Sequence, residues 1–228
     1  VVWYMRKKRE FLRQRFFQQI NRVRMENLRS RISPHFTFNV LGREINQFNG
    51  SEEVKHNLME LVKYLRRSLE LTEKLSVSLQ DELDFVRTYI ELERGRVGEE
   101  FVATVTVEDG LDATRIMIPS MIVQIPVENA IKHGLAGKDE KKELSVYVSR
   151  ETNGIRITVT DNGRGYLPQV VSATRGTGTG LKVLYQTIQL LNTKNKSDKI
   201  RFNITNRSDG QTGTQVSVYI PFRFSYDL

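Results

Sequence analysis

The sequence predicts a helical hairpin at the front of the chain and a mixed α/β layer domain behind it. Three observations carry that reading. Over residues 6 to 49 there is one proline and one glycine, with Leu12, Phe16, Ile20, Val23, Leu28 and Ile32 at steps of three to five, which is helical spacing. After a turn at Asn49-Gly50-Ser51, the stretch from Glu52 to about Leu71 sets Val54, Leu58, Leu61, Val62, Leu65 and Leu69 on one face. Beyond residue 100 the pattern changes to short alternating runs separated by turn residues and two further helical segments, the signature of a layered α/β domain.

Taken in order, the two amphipathic helices form an antiparallel hairpin that cannot bury both apolar stripes alone. A second copy completing a four-helix bundle is the simplest solution. Leu75 to Leu79 is a short extended piece, and Gln80 to about Val97 is a helix with Ser78 as N-cap ahead of Asp81 and Glu82. Phe101 to Val107 alternates as a strand. A helix from about Ser120 to Leu135 comes next, with Pro126 expected to kink or loosen it. Alternating runs at Glu143 to Ser149, Ile155 to Thr160, Ile200 to Thr205 and Gln215 to Ile220 are strands, and Gly180 to about Asn192 is a helix entered from a glycine-rich loop.

Composition narrows the function classes. With 39% hydrophobic and 27% charged residues the chain is globular, and no run reaches the roughly 18 apolar residues of a membrane span. Zero cysteines exclude disulfides, thiol nucleophiles and thiolate metal sites; three histidines, His35, His56 and His133, narrow the metal options further. The net charge of +8 sits wholly in residues 1 to 50, which hold 11 Lys+Arg against 3 Asp+Glu. Phosphate contact or an anionic membrane surface would both suit such a front. Val1 to Met5, apolar and aromatic, run directly into Arg6-Lys7-Lys8-Arg9, as a membrane helix does where it exits on the cytoplasmic side; a plain helix start reads the same.

Four segments bear chemistry. In Ser33-Pro34-His35-Phe36-Thr37-Phe38-Asn39 the serine and proline suit a cap and first helical position, which would leave His35 incidental. Alternatively His35 and Asn39, four apart, share a face, and a neutral imidazole can accept a phosphoryl group. In Val127 to Gly134, the polar Glu128, Asn129 and Lys132 interrupt an apolar helix and are expected to face a cavity or water. Asn129 offers a hard oxygen to Mg²⁺, Lys132 can meet a phosphate, and Glu128 can position water; a helix end stopped by Gly134 is the competing account. Asp161 ends an apolar strand, where its carboxylate suits an exocyclic amine, with Gly163 and Gly165 admitting a ligand to the backbone; Asn162-Gly163 alone is a hairpin signal. Gly176, Gly178 and Gly180 precede Leu181 at a helix start that favours anions, yet lack the Gly-Lys-Ser/Thr of a phosphate-binding P-loop.

In this order the motifs resemble those of LytS-type sensor histidine kinases: Pro34-His35-Phe36 with Phe38-Asn39, Tyr64-Leu65-Arg66, Arg96, Ile118-Pro119 with Gln124, Glu128 to Gly134, Asp161 to Gly165, and Gly176 to Leu181. The resemblance runs from about Arg29 to Phe222. It implies an end of a membrane segment and a basic stretch at 1–9, a dimerisation and phosphotransfer hairpin at 10–72, a hinge at 73–79, and an ATP-binding domain at 80–228 of the histidine kinase, gyrase and Hsp90 type. His35 is then the phosphoacceptor beside Asn39, Asn129 the Mg²⁺ ligand, and Lys132 and His133 neighbours of the phosphates. Asp161 reads adenine, Gly163 and Gly165 shape its pocket, and Gly176, Gly178, Gly180 and Leu181 form the lid. Glu128 is the candidate for the base that takes the imidazole proton. The implied protein is a homodimer on the cytoplasmic side of a bacterial inner membrane, below a membrane sensor region. It autophosphorylates from Mg-ATP and passes the phosphoryl group to a response-regulator aspartate, with no direct nucleic-acid partner. Arg31, Ser33, Gly42 and Lys182-Val183 depart from the usual pattern. Two rival readings are an ATP-driven clamp of the same superfamily that hydrolyses ATP without phosphohistidine, and a dimerisation scaffold that binds no nucleotide.

Overall fold

The structure, a computed structural model, describes residues 52–98, 100–166, 179–193, 195 and 197–226. His35, Asn39, Gly176 and Gly178, the expected first helix of the hairpin, the basic front and the part of the expected bundle before Glu52 lie outside the described residues.

Helix α1, Glu52–Glu73, leads into strand β1, Ser76–Ser78, and helix α2, Leu79–Val97. Ser78 caps α2 as its sequence suggests, its Oγ accepting from Asp81 N–H at 3.0 Å, and Gly98 ends it at φ 113° with its N–H donated to Arg94 O. Strand β2, Phe101–Val107, is followed by β3, Met117–Pro119, a strand that the alternation pattern misses because it spans three residues and ends on proline. It pairs antiparallel with β1. Then come α3, Gln124–Asn129, continued by a π-helical turn at Ala130–Gly134; the hairpin of β4, Lys142–Glu151, and β5, Gly154–Asp161; α4, Thr179–Asn192; and β6, Arg201–Asn206, with β7, Thr214–Pro221.

Among the described residues five strands form one sheet in the order β2-β4-β5-β7-β6, parallel only at β2-β4. The period-two pattern sets one face of it: Val146 lies opposite Val159 and Val159 opposite Val216, while Val148, Ile157 and Val218 make the next row. All six are buried under the helices with Ile122, Ile131 and Leu135. The other face, which carries Ser145, Tyr147, Thr158 and Ser217, is left largely uncovered. This is the two-layer α/β sandwich that the sequence predicts. No helix among the described residues is long and apolar enough to cross a membrane.

One expected element is corrected. The helix anticipated from Ser120 begins at Gln124, because residues 120–123 form a turn with Met121 at φ 69°. Pro126 therefore sits in the first turn of α3, directly after residues 120–123, which form a turn and not a helix, so the loosening expected before the proline is found there. The segment 73–79, read from sequence as a hinge, contains paired β1, and Ser120 N–H reaches Leu75 O at 3.1 Å while Ser120 Oγ donates to Leu71 O. The end of α1 is further joined to α2 by the Arg67–Asp81 ion pair and by Tyr64, whose ring stacks on Phe85 with centroids 4.8 Å apart.

Candidate nucleotide site

Two chain ends meet at the site: the C-terminal end of α3 and the end of β5. The last turn of α3 widens, Leu135 N–H donating to Ala130 O five residues back at 2.8 Å, which shifts the phase of the helix at Lys132 and His133. Asn129, half-buried, donates its Nδ2 to Ile125 O at 2.7 Å, so the side-chain atom it has to offer a ligand is the oxygen. His133 has its pKa pushed below the ordinary imidazole value, first by burial and then by the nearby Lys132 and Arg164 cations, which favours the neutral ring at pH 7.

Asp161 is 4% exposed at the end of β5. Burial raises its carboxyl above the usual range, and bonds from Gly163 N–H at 2.9 Å and Thr214 N–H at 3.4 Å to Oδ1 work against that rise. Three glycines allow the close packing of this junction. A Cβ on Gly134 would lie 2.8 Å from Asp161 Oδ1, one on Gly163 2.0 Å from Gly134 O, and one on Gly213 2.0 Å from Asp161 O. Arg164 N–H to Gly134 O, 3.2 Å, locks the two ends together. Gly163 thus serves close approach of two backbones, and Gly165, at φ 85°, supplies a conformation that other residues rarely adopt. Gly163→Ala is expected to lower unfolding stability by about 1–3 kcal/mol, since backbone must move to admit the methyl group. A chemical denaturation midpoint equal to wild type would show that the junction yields easily.

The expectation that Glu128 faces a cavity or water is corrected. Glu128 is 8% exposed, its Oε1 accepting from Gln124 Nε2 at 3.1 Å and its Oε2 3.2 Å from Lys132 Nζ. It lies beside α2, where its charge helps burial raise the Tyr89 hydroxyl well above its usual pKa and Lys132 Nζ sits 6.0 Å from the Tyr89 ring. The buried carboxylate is tolerated because a cation and an amide surround it. Gly180 and Leu181 open α4, while Gly176 and Gly178 fall outside the described residues.

Sequence reasoning passed over Glu82. Read as an acidic residue near the start of α2, it is 0% exposed, and it accepts from the N–H groups of Met121, Val123 and Gln124 at 2.8, 2.9 and 3.2 Å. It thereby fixes the turn from which α3, and with it Asn129, departs. Local signals cannot reveal such a contact, because the partners are about forty positions away in the chain.

Residues 23–101 match the family described as histidine kinase, and residues 115–223 match that of histidine kinase-, DNA gyrase B- and HSP90-like ATPases. Sensor histidine kinase/phosphatase LytS from Staphylococcus aureus strains MRSA252 and Mu50 is 32% identical over 197 residues, covering 82% of this chain and 33% of the relative. The chain thus spans about a third of the length of the curated relatives it matches. Among solved structures, the histidine kinase domain of a blue-light activated histidine kinase from Erythrobacter litoralis aligns with a TM-score of 0.48 at 18% identity, covering 81% of this chain and 94% of that one. For Acinetobacter baumannii histidine kinase AdeS the TM-score is 0.44 at 16% identity, with 92% and 98% covered.

Proposed function

This chain belongs to the histidine kinase family, and from that premise we propose that it carries the γ-phosphoryl group of Mg-ATP to the imidazole of His35 and relays it to an aspartate of a response regulator. The observation that carries the proposal is the close packing of Gly134, Gly163 and Gly213 around Asp161, Gly134 against its carboxylate, Gly163 against Gly134 O and Gly213 against the Asp161 carbonyl, because it joins three segments distant in sequence at the end of the helix that carries Asn129. A carboxylate at such a junction suits the exocyclic amine of adenine, and Gly165 supports the same loop.

In this reading Asn129 Oδ1 holds Mg²⁺, a hard oxygen for a hard cation. The ion, when bound, supplies neutralisation of charge on the β- and γ-phosphates. Lys132 and neutral His133 face the phosphates, and Gly176, Gly178, Gly180 and Leu181 cover them. The neutral His35 ring attacks phosphorus in line: the N–P bond forms as the bond to the bridging oxygen breaks, ADP leaves with the electron pair, and the other ring nitrogen gives up its proton to solvent water. Asn39, four residues on, is assigned the role of orienting the ring. Rate comes chiefly from positioning and charge neutralisation. Glu128, enclosed with Lys132 and Gln124, is better suited to hold Lys132 than to receive that proton, which revises its sequence-based assignment.

The divisions 1–9, 10–72, 73–79 and 80–228 are kept as proposed units. For the third to act as a hinge, β1 must first unpair from β3. The assembly proposed is a homodimer through residues 10–72, placed at the cytoplasmic face of a bacterial inner membrane below a membrane sensor region, which the apolar Val1–Met5 and basic Arg6–Arg9 support.

Incubation of the chain with γ-labelled Mg-ATP is expected to give protein-bound phosphate that is stable to base and lost in acid. Asn129→Ala is expected to reduce labelling by roughly a hundredfold or more, as loss of a group that neutralises transition-state charge does. Wild-type protein that acquires no label, or an Asn129→Ala variant that labels at the wild-type rate, would overturn the assignment.

A further inference from the structure

We infer that Tyr64 and Gln124 are positioning residues for the nucleotide site, acting through Glu128 on Lys132, so that the docking of α1 sets how tightly the site holds phosphate. This rests on the proposed reading of Lys132 as a phosphate neighbour and adds what governs its availability. Three contacts make the chain: Gln124 Nε2 to Tyr64 OH at 3.4 Å, Gln124 Nε2 to Glu128 Oε1 at 3.1 Å, and Glu128 Oε2 to Lys132 Nζ at 3.2 Å. It starts on α1, outside the sheet domain, and ends one helical turn from Asn129.

The chain is placed where such contacts count. Tyr64, Gln124 and Glu128 are all buried, so water does not compete for them, and the pairing is stronger than it would be at the surface. Each end is mechanically held. Tyr64 is clasped between Phe85 and Tyr89, with ring centroids 4.8 and 5.8 Å away. Gln124 is anchored by its own backbone N–H, given to Glu82 Oε1 at 3.2 Å. Its side-chain oxygen is buried and has no hydrogen-bond partner among the described residues, so the amide is oriented by its two Nε2 contacts.

The direction of the effect is set by charge. Gln124 and Lys132 both donate to the Glu128 carboxylate and together offset it. With Gln124 oriented by Tyr64, part of that charge is met without Lys132, and the ammonium can turn to a phosphate. The Tyr64 contact, at 3.4 Å, is near the outer limit of a hydrogen bond, and a shift of α1 by about 1 Å breaks it. Gln124 then loses its orientation, and Glu128 holds Lys132 more strongly. A docked α1 therefore favours ATP, and a displaced one disfavours it.

The test is titration of the full chain with Mg-ATP and, separately, with adenosine, which lacks phosphates. Tyr64→Phe keeps the ring stack and removes only the hydroxyl. It is expected to weaken Mg-ATP binding about two- to tenfold and leave adenosine binding unchanged. Lys132→Met weakens Mg-ATP by itself, and adding Tyr64→Phe to it produces no further loss. Equal weakening of both ligands, additive losses in the double variant, or an unchanged Mg-ATP affinity in Tyr64→Phe would overturn the inference while leaving the nucleotide site intact. Failure of the wild-type chain to bind Mg-ATP, or an unaffected Lys132→Met, would overturn the underlying reading and the inference with it.

Discussion

His35→Gln is expected to abolish phosphate incorporation from labelled ATP, by a factor of at least about a thousand, while leaving the affinity for Mg-ATP within about twofold of wild type. The amide of glutamine approximates the size and polarity of the ring but offers no nucleophilic nitrogen, so the substitution removes the chemistry and little else. The separation of effects arises because the two halves of the reaction come from different stretches of chain: the acceptor from a segment before Glu52, the nucleotide seat from α3 and β5. Filter-bound label after acid and base washes, alongside a nucleotide titration of the same preparation, provides the check. Retained acid-labile phosphate in His35→Gln would place the acceptor elsewhere, His133 being the first alternative to examine. Steady ATP hydrolysis with no label in the wild-type protein would instead favour the clamp reading, which needs the nucleotide seat and not the imidazole.

The alternation of Val146, Val148, Val159, Ile157, Val216 and Val218 made the sheet legible, because strand periodicity is a local property of the chain and burial on one side enforces it. Ser78 was legible for the same reason: an N-cap is written within three residues of the bond it makes. The start of α3 was not. Ser120 to Val123 is as apolar and as helix-compatible as α3 itself, and its departure from the helix, with Met121 at positive φ, is held by Glu82 of a different helix, which accepts the N–H groups of Met121 and Val123. Glu128 misled in the opposite sense. A charged residue on an apolar helix suggests water until Lys132 and Gln124 on the same helix are known to pair with it. At the site, the residue types at Asn129, Asp161 and Gly163 could be read from their motifs, but the closeness of Gly134 to Asp161, which explains why both glycines are needed, is a long-range fact. Motifs name the groups, and tertiary contacts decide which way each one points.

The largest effect on stability is expected at Glu82, and its logic runs against the usual view of an acidic residue near a helix start. At the surface such a residue contributes a few tenths of a kcal/mol through the helix dipole. Buried, Glu82 instead satisfies three backbone N–H groups of a turn whose Met121 is held at positive φ. In Glu82→Ala these donors lose their acceptor and a cavity opens between α2 and α3. A loss of about 3–5 kcal/mol is expected, the range for breaking a buried charged contact. For a domain of this size that corresponds to a fall in melting temperature of roughly 10 °C or more. Glu82→Gln keeps one acceptor oxygen but turns an NH₂ group toward at least one of the N–H donors, so it is expected to fall between alanine and wild type. Because Gln124 is both a donor to Glu82 and a link toward Lys132, the glutamine variant should also bind Mg-ATP more weakly at a temperature where it remains folded. Thermal melts of the three proteins followed by circular dichroism rank them. Should alanine melt within a few degrees of wild type, solvent would have to be serving the turn in place of the carboxylate, and α3 would owe its position to packing of Ile122, Ile125 and Ile131 alone.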